Sequence, residues 1–148
     1  MASQTKPSEI CAILETIGAA SLTAGTYNST TWVEASDFQQ YLGVFVGGLT
    51  AATGTLVFSL VQATDTAGTA SKAISAATAT ITDDTFDDKQ IMINLKTTDL
   101  DLANGFRFVG LQAVTATAAT LGGAILMGFN PYHGPASDFN AAVLQVVN

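Results

Sequence analysis

Two long stretches of this chain, residues 38–64 and 108–137, contain no Asp, Glu, Lys or Arg, and clusters of Gly and Thr cut both before any apolar run grows long. The first is interrupted by Gly47-Gly48 and by Thr50-Ala51-Ala52-Thr53-Gly54, the second by residues 115–120 and by Gly122-Gly123. A helix across a bilayer needs about 20 consecutive apolar residues, and neither stretch supplies them. What remains is a series of short apolar runs bounded by turn residues, the pattern of β-strands with buried faces.

The runs can be placed one by one. Trp32-Val33-Glu34 reads as a short strand, and Tyr41-Leu42-Gly43-Val44-Phe45-Val46 is apolar on both faces, as in a strand covered on each side by a second sheet or by a neighbouring subunit. Residues 55–62 are expected to pair back on it as a hairpin across the Thr-Ala-Ala-Thr-Gly turn. Residues 72–81 form a weaker Ala/Thr strand. Gln90-Ile91-Met92-Ile93-Asn94-Leu95-Lys96 alternates cleanly, with Ile91, Ile93 and Leu95 inward. Residues 106–113 and 124–129 make an expected last hairpin, and residues 142–147 a closing strand. Thr50-Ala51-Ala52-Thr53 recurs as Thr117-Ala118-Ala119-Thr120, each time as a tip between apolar strands. Near the start, Ile10, Ile13, Leu14 and Ile17 fall at helical spacing, with Ser8 as a cap and Gly18 as a stop; an opening strand from Ile13 to Ile17 is the alternative.

The expectation is an all-β, jelly-roll-like antiparallel sandwich of about eight strands with a short N-terminal arm or helix. Its division is an arm over 1–24 and one sandwich domain over 25–148, with a tail from about 136. Composition agrees. The 148 residues suit one domain, and 24 alanines, 21 threonines and 13 glycines favour pleated, closely packed layers over long helices. Only 11% of residues are charged, against about 25% in an ordinary soluble domain, so part of the exterior is expected to be buried against other chains. The net charge of −7 argues against nucleic acid and anionic membranes as partners. The first residues lack a basic segment followed by an apolar core, so no signal peptide is expected.

Chemistry is sparse. A single histidine, His133, and a single cysteine, Cys11, make neither a nucleophilic triad nor a zinc set, and no cofactor is expected. Asp83, Asp84, Asp87 and Asp88 crowd one turn and form a weak calcium candidate, although they lack the spacing and glycine of an EF-hand loop. Asn28-Ser29-Thr30 matches the glycosylation sequon by composition in a Thr-rich turn. Tyr27, Trp32 and Tyr132 are the aromatics from which a sugar-binding platform could be built, and the lone Trp32 is expected in the core.

Four segments carry a resemblance: Thr31-Trp32-Val33-Glu34-Ala35-Ser36; Leu60-Val61-Gln62-Ala63-Thr64-Asp65; Asp88-Lys89-Gln90-Ile91-Met92-Ile93-Asn94-Leu95; and Gly128-Phe129-Asn130-Pro131-Tyr132-His133-Gly134-Pro135-Ala136-Ser137-Asp138. Within roughly residues 30–148 the chain resembles small tailed-bacteriophage proteins encoded close to the major capsid protein. The resemblance implies a capsid decoration, or cement, protein that binds the major capsid protein and itself, as a homotrimer. It implies a place on the outside of a phage head, with synthesis in the bacterial cytoplasm. Interface candidates are Ile10, Ile13, Leu14, Ile17, Pro131, Tyr132, His133, Pro135, Phe139 and Leu144. The alternatives are a tail-tube or head-to-tail connector subunit and a carbohydrate- or receptor-binding sandwich.

Overall fold

The computed structural model describes residues 6–82, 87–140 and 142–145. The chain opens with one helical turn, α1 (Pro7–Ile10). Its proline stands at the first helical position, where an N–H would have no partner, and the Glu9 carboxylate accepts the Lys6 backbone N–H at 3.2 Å. Among the described residues nine strands follow: β1 (Cys11–Leu22), β2 (Gly25–Asn28), β3 (Val33–Glu34), β4 (Phe38–Thr50), β5 (Thr55–Ala63), β6 (Lys72–Thr82), β7 (Gln90–Lys96), β8 (Phe108–Ala116) and β9 (Thr120–Pro131). Short 3-10 turns lie at Thr97–Asp99, Leu102–Asn104 and Ala136–Phe139.

The strands build an all-β sandwich of two antiparallel sheets, one ordered β1-β9-β4-β7 and the other β2-β8-β5-β6 with β3 also on β8. The register traces one long hairpin. Thr55 faces Thr82, Val46 faces Gln90, Gly25 faces Thr115 and Cys11 faces Phe129, all centred on the turn at residues 64–71. Rolling that hairpin up adds the β4–β9 and β5–β8 pairings, which is the jelly-roll arrangement.

Of the two readings at Ile10, Ile13, Leu14 and Ile17 the helical one is corrected and the strand from Ile13 to Ile17 is found, because α1 ends at Ile10 and the rest lies in β1. Register shifts between Ile13 and Glu15 and between Ile17 and Ala20 interrupt the alternation of β1, so its inward residues Ala12, Leu14 and Ile17 are spaced by two and then by three. A bulge thus imitates a helix in the sequence. Over the stretch expected as an arm, Cys11–Leu22 is the edge strand of the four-stranded sheet.

The two expected hairpins are corrected as well. β4 and β5 lie in opposite sheets, and so do β8 and β9. Each Thr-Ala-Ala-Thr tip is a corner that carries the chain between layers, and the corners sit side by side: Thr50 pairs with Thr120, and the Ala51 N–H donates to the Ala119 carbonyl at 3.1 Å. Strands so apolar bury more by facing one another across a core than by lying edge to edge in one sheet. The closing strand expected at 142–147 is absent over residues 142–145, which are turn and bend, and its remainder lies outside the described residues.

Phe38, Tyr41 and Phe45 of β4 meet Phe58 and Leu60 of β5, Leu111 of β8 and Leu126 of β9 in the core, all essentially inaccessible to water. Glycine makes room for the rings. A Cβ at Gly122 would stand 2.4 Å from the Phe45 ring, and one at Gly128 2.6 Å from the Phe38 ring.

Candidate assembly surface

On a two-sheet sandwich each strand sends alternate residues inward, and the others must face water or a partner. In the four-stranded sheet most of those others are apolar. Register aligns them in cross-strand rows: Ile13, Met127, Leu42 and Asn94 in one; Thr16, Ile125, Val44 and Met92 in the next; Cys11, Phe129, Gln40 and Lys96 at one end. Leu42, Val44, Ile125 and Met127 are only half-buried, Val46 is 46% exposed and Met92 is 68% exposed. The rows carry one charged residue, Lys96, at their end. Glu15 belongs to the bulge of β1, and its carboxylate accepts the Thr31 hydroxyl at the sheet's edge.

Two hollows mark this face. One, of about 340 Å³, lies at the β1–β9 side, where the residues around Gly18 and Ala19 arch over Gly123. The other, of about 450 Å³, lies at the opposite side and is lined by Phe129, Leu42, Gln40, Asn94, Lys96 and Asp99. Burial pushes the Cys11 thiol above its ordinary range, so it stays protonated and adds a small apolar patch to the face.

The outer face of the other sheet is finished differently. Asn28, Gln112, Ser59 and Thr78 form one row and Thr26, Val114, Val57 and Thr80 the next. The Gln112 amide donates to Asn28 at 3.0 Å, and the Ser59 and Thr78 hydroxyls pair at 3.1 Å. Where this face turns apolar, at Val61, Ala63 and Phe108, Trp32 covers it and is itself 6% exposed. A Cβ at Gly110 would lie 2.7 Å from the indole from below, and one at Gly68, held at φ +80°, 2.4 Å from it on the other side. Trp32 is therefore core, as expected, and is not available to an aromatic sugar platform.

The expected interface residues divide by position. Leu14 and Ile17 point between the sheets and belong to the core, while Ile13 lies on the apolar outer face. Ile10, Tyr132, His133, Pro135 and Leu144 are exposed and Pro131 is half-buried. Phe139 packs edge-on against Phe38 at 5.1 Å between ring centroids. Its segment also straps the free edge of β1: the Ile13 N–H donates to the Asn140 side chain at 2.9 Å, and the Ala142 N–H to the Ile13 carbonyl at 3.4 Å. The Tyr132 N–H donates to the Asp37 carbonyl at 3.0 Å. Burial, and then the Glu34 carboxylate, raise the Asp37 carboxyl above its usual range, with His133 acting in the opposite sense.

In the acidic turn, Asp83 and Asp84 lie outside the described residues. Asp87 accepts the Thr50 backbone N–H at 2.6 Å, and Asp88 is held at φ +55°. Among the described residues no group of three or more His, Cys, Asp or Glu is placed to hold a metal. The outward residues Leu42, Val44, Val46, Met92, Ile125 and Met127 were missing from the sequence-based interface set. Their signal was the two-sided apolar run at 41–46 and the absence of charge from β9.

No protein-family model matches the sequence, and no curated protein matches it. Among solved structures, the chain is similar to one of infectious bursal disease virus, Gt strain, with a TM-score of 0.42 and 13% identity over 82% of this chain and 33% of that one. For the Gx strain the values are 0.39 and 13%, over 86% and 32%. The Tobacco streak virus coat protein gives 0.36 and 12%, over 93% of this chain and 97% of that chain. The chain thus spans about a third of the bursal disease virus chains. The likeness is one of fold.

Proposed function

We propose that this chain is a structural protein of a virus particle: a capsid decoration, or cement, protein that binds the major capsid protein on the outside of a tailed-bacteriophage head and acts as a homotrimer. The observation that carries the proposal is the apolar, nearly uncharged outer face of the β1-β9-β4-β7 sheet. Soluble proteins keep such a surface when another protein covers it. The same strand β9 that supplies Ile125, Met127 and Phe129 to this face runs on into Pro131, Tyr132 and His133, part of the segment that resembles the phage proteins. The face and that loop therefore form one continuous contact zone.

The mechanism is adhesion. An interface of standard size buries about 1,600 Å² in total, and repetition over a shell multiplies its effect through avidity. Clamping neighbouring capsid subunits would raise the force needed to separate them, without any covalent step. The test is the mass of the purified protein in solution, followed by mixing with particles that lack it. The expected result is a trimer that rebinds shells and raises their disruption temperature. A ring of six or twelve subunits, or a monomer that ignores shells, would overturn the proposal.

A further inference from the structure

The apolar face has a shape as well as a composition. Met92, on the edge strand β7, is 68% exposed. The hollow of about 340 Å³, lined by Thr16, Gly18, Ala19, Val46, Gly123 and Ile125, lies at the opposite edge, on β1 and β9. Register places Met92 level with one wall of the hollow, because Met92 pairs with Val44, Val44 with Ile125 and Ile125 with Thr16, while Val46 and Gly123 of the far wall lie in the next row. A rotation about an axis parallel to the strands exchanges the two edges and keeps the height. It brings β7 of one copy over β1 of another.

We infer that the occupant of this face is a second copy of this chain, with Met92 of each copy seated in the Gly18–Gly123 hollow of its neighbour. The charges agree with that occupant. The same rotation carries Lys96, the one charged residue of the rows, to the end of the neighbour's β1, where the exposed Glu9 precedes Cys11. It does so in a chain with five Lys and Arg against twelve Asp and Glu. Four strands spaced at about 4.8 Å and about seven residues rising about 3.3 Å each project onto roughly 450 Å². That projection is a little over half of the ~800 Å² that each partner of a standard interface contributes.

Because Met92 and the hollow sit on opposite edges, each copy gives one contact and receives one. Two copies face to face satisfy this, and so do three around an axis along the strands. The inference names the partner of the surface on which the proposed function rests, and its test keeps the two apart.

The experiment uses the full chain. Met92→Cys and Ala19→Cys are combined in a Cys11→Ser background and oxidised, and Met92→Glu is weighed by light scattering, with circular dichroism to check the fold. Met92 is mostly exposed, so its replacement leaves the core untouched. The expected results are an intermolecular disulfide between positions 92 and 19 and a Met92→Glu protein that is folded and monomeric while the wild type is not. A monomeric wild type, or an oligomer that neither cross-links at these positions nor dissociates with Met92→Glu, would overturn the self-contact. Rebinding of the same samples to bare particles reports on the capsid role separately.

Discussion

On one side of this sandwich the outward positions include Leu42, Val44, Val46, Ile125, Met127 and Phe129, with Gln40, Asn94 and Lys96 toward one end; on the other they include Thr26, Asn28, Ser59, Thr78, Thr80 and Gln112, with Val57 and Val114 among them. Both sheets share one core and one topology, so fold does not account for the contrast. The second sheet has an apolar outer area too, at Val61, Ala63 and Phe108, but the chain covers it with its own Trp32. On the first sheet no described segment covers the equivalent area. The comparison separates two ways of closing an apolar surface: a side chain supplied in the same molecule, whose loss destabilises the fold, and a surface left for another molecule, whose loss disturbs assembly.

The largest effect is expected at the intramolecular cover. Trp32→Ala empties the space between Gly68 and Gly110 and should lower folding stability by about 3–5 kcal/mol, read from the urea midpoint. A loss below about 1 kcal/mol would show that the indole is not the lid of that face. Val44→Asp, on the open face, is expected to leave the monomer's urea midpoint nearly unchanged while abolishing higher-order species in light scattering. Unfolding with no change in assembly would reverse the comparison.

A smaller effect concerns the charged latch on the Trp32 side, where Lys72 pairs with Asp101 and stands 3.8 Å from the centroid of the Phe106 ring. Lys72, and then Asn104, hold the Asp101 carboxyl below its ordinary range. A depressed carboxylate contributes stability that is present above its unfolded value near ~3.9 and is lost as pH falls through the folded one. Stability should therefore drop in acid below about pH 4, and Asp101→Asn should flatten that part of the curve. Asp37, raised by burial, acts with the opposite sign: its cost is present at neutral pH and disappears in acid. The smallest effect belongs to Thr80→Lys on the polar face, expected within ~0.5 kcal/mol and without consequence for assembly. If it dissociated the oligomer, the contact would lie on the wrong sheet.

Much of this fold was legible before any coordinates. Strict alternation placed β7 to the residue, and the Gly and Thr clusters located the ends of β4, β5, β8 and β9 within a few positions. The two-sided apolar run at 41–46 already required a cover on each face, one side proving to be the core and the other the open surface. Pairing was less legible. A tip such as Thr50-Ala51-Ala52-Thr53 suits a hairpin and a corner alike, and only the burial of four apolar strands against one another selects the corner. β1 was ambiguous for a local reason, since a bulge changes a spacing of two into a spacing of three.

By itself the sequence determined the class: short apolar strands with little charge, in an all-β sandwich. Period and composition are local quantities, and they survive without knowledge of partners in space. Tertiary structure alone decided which apolar residues became core and which became surface. Leu14 and Ile17 went inward, Leu42 and Val44 outward, and Met92 came level with Thr16 three strands away. That outcome depends on strand register, and register is set by how residues far apart in the chain pack against each other.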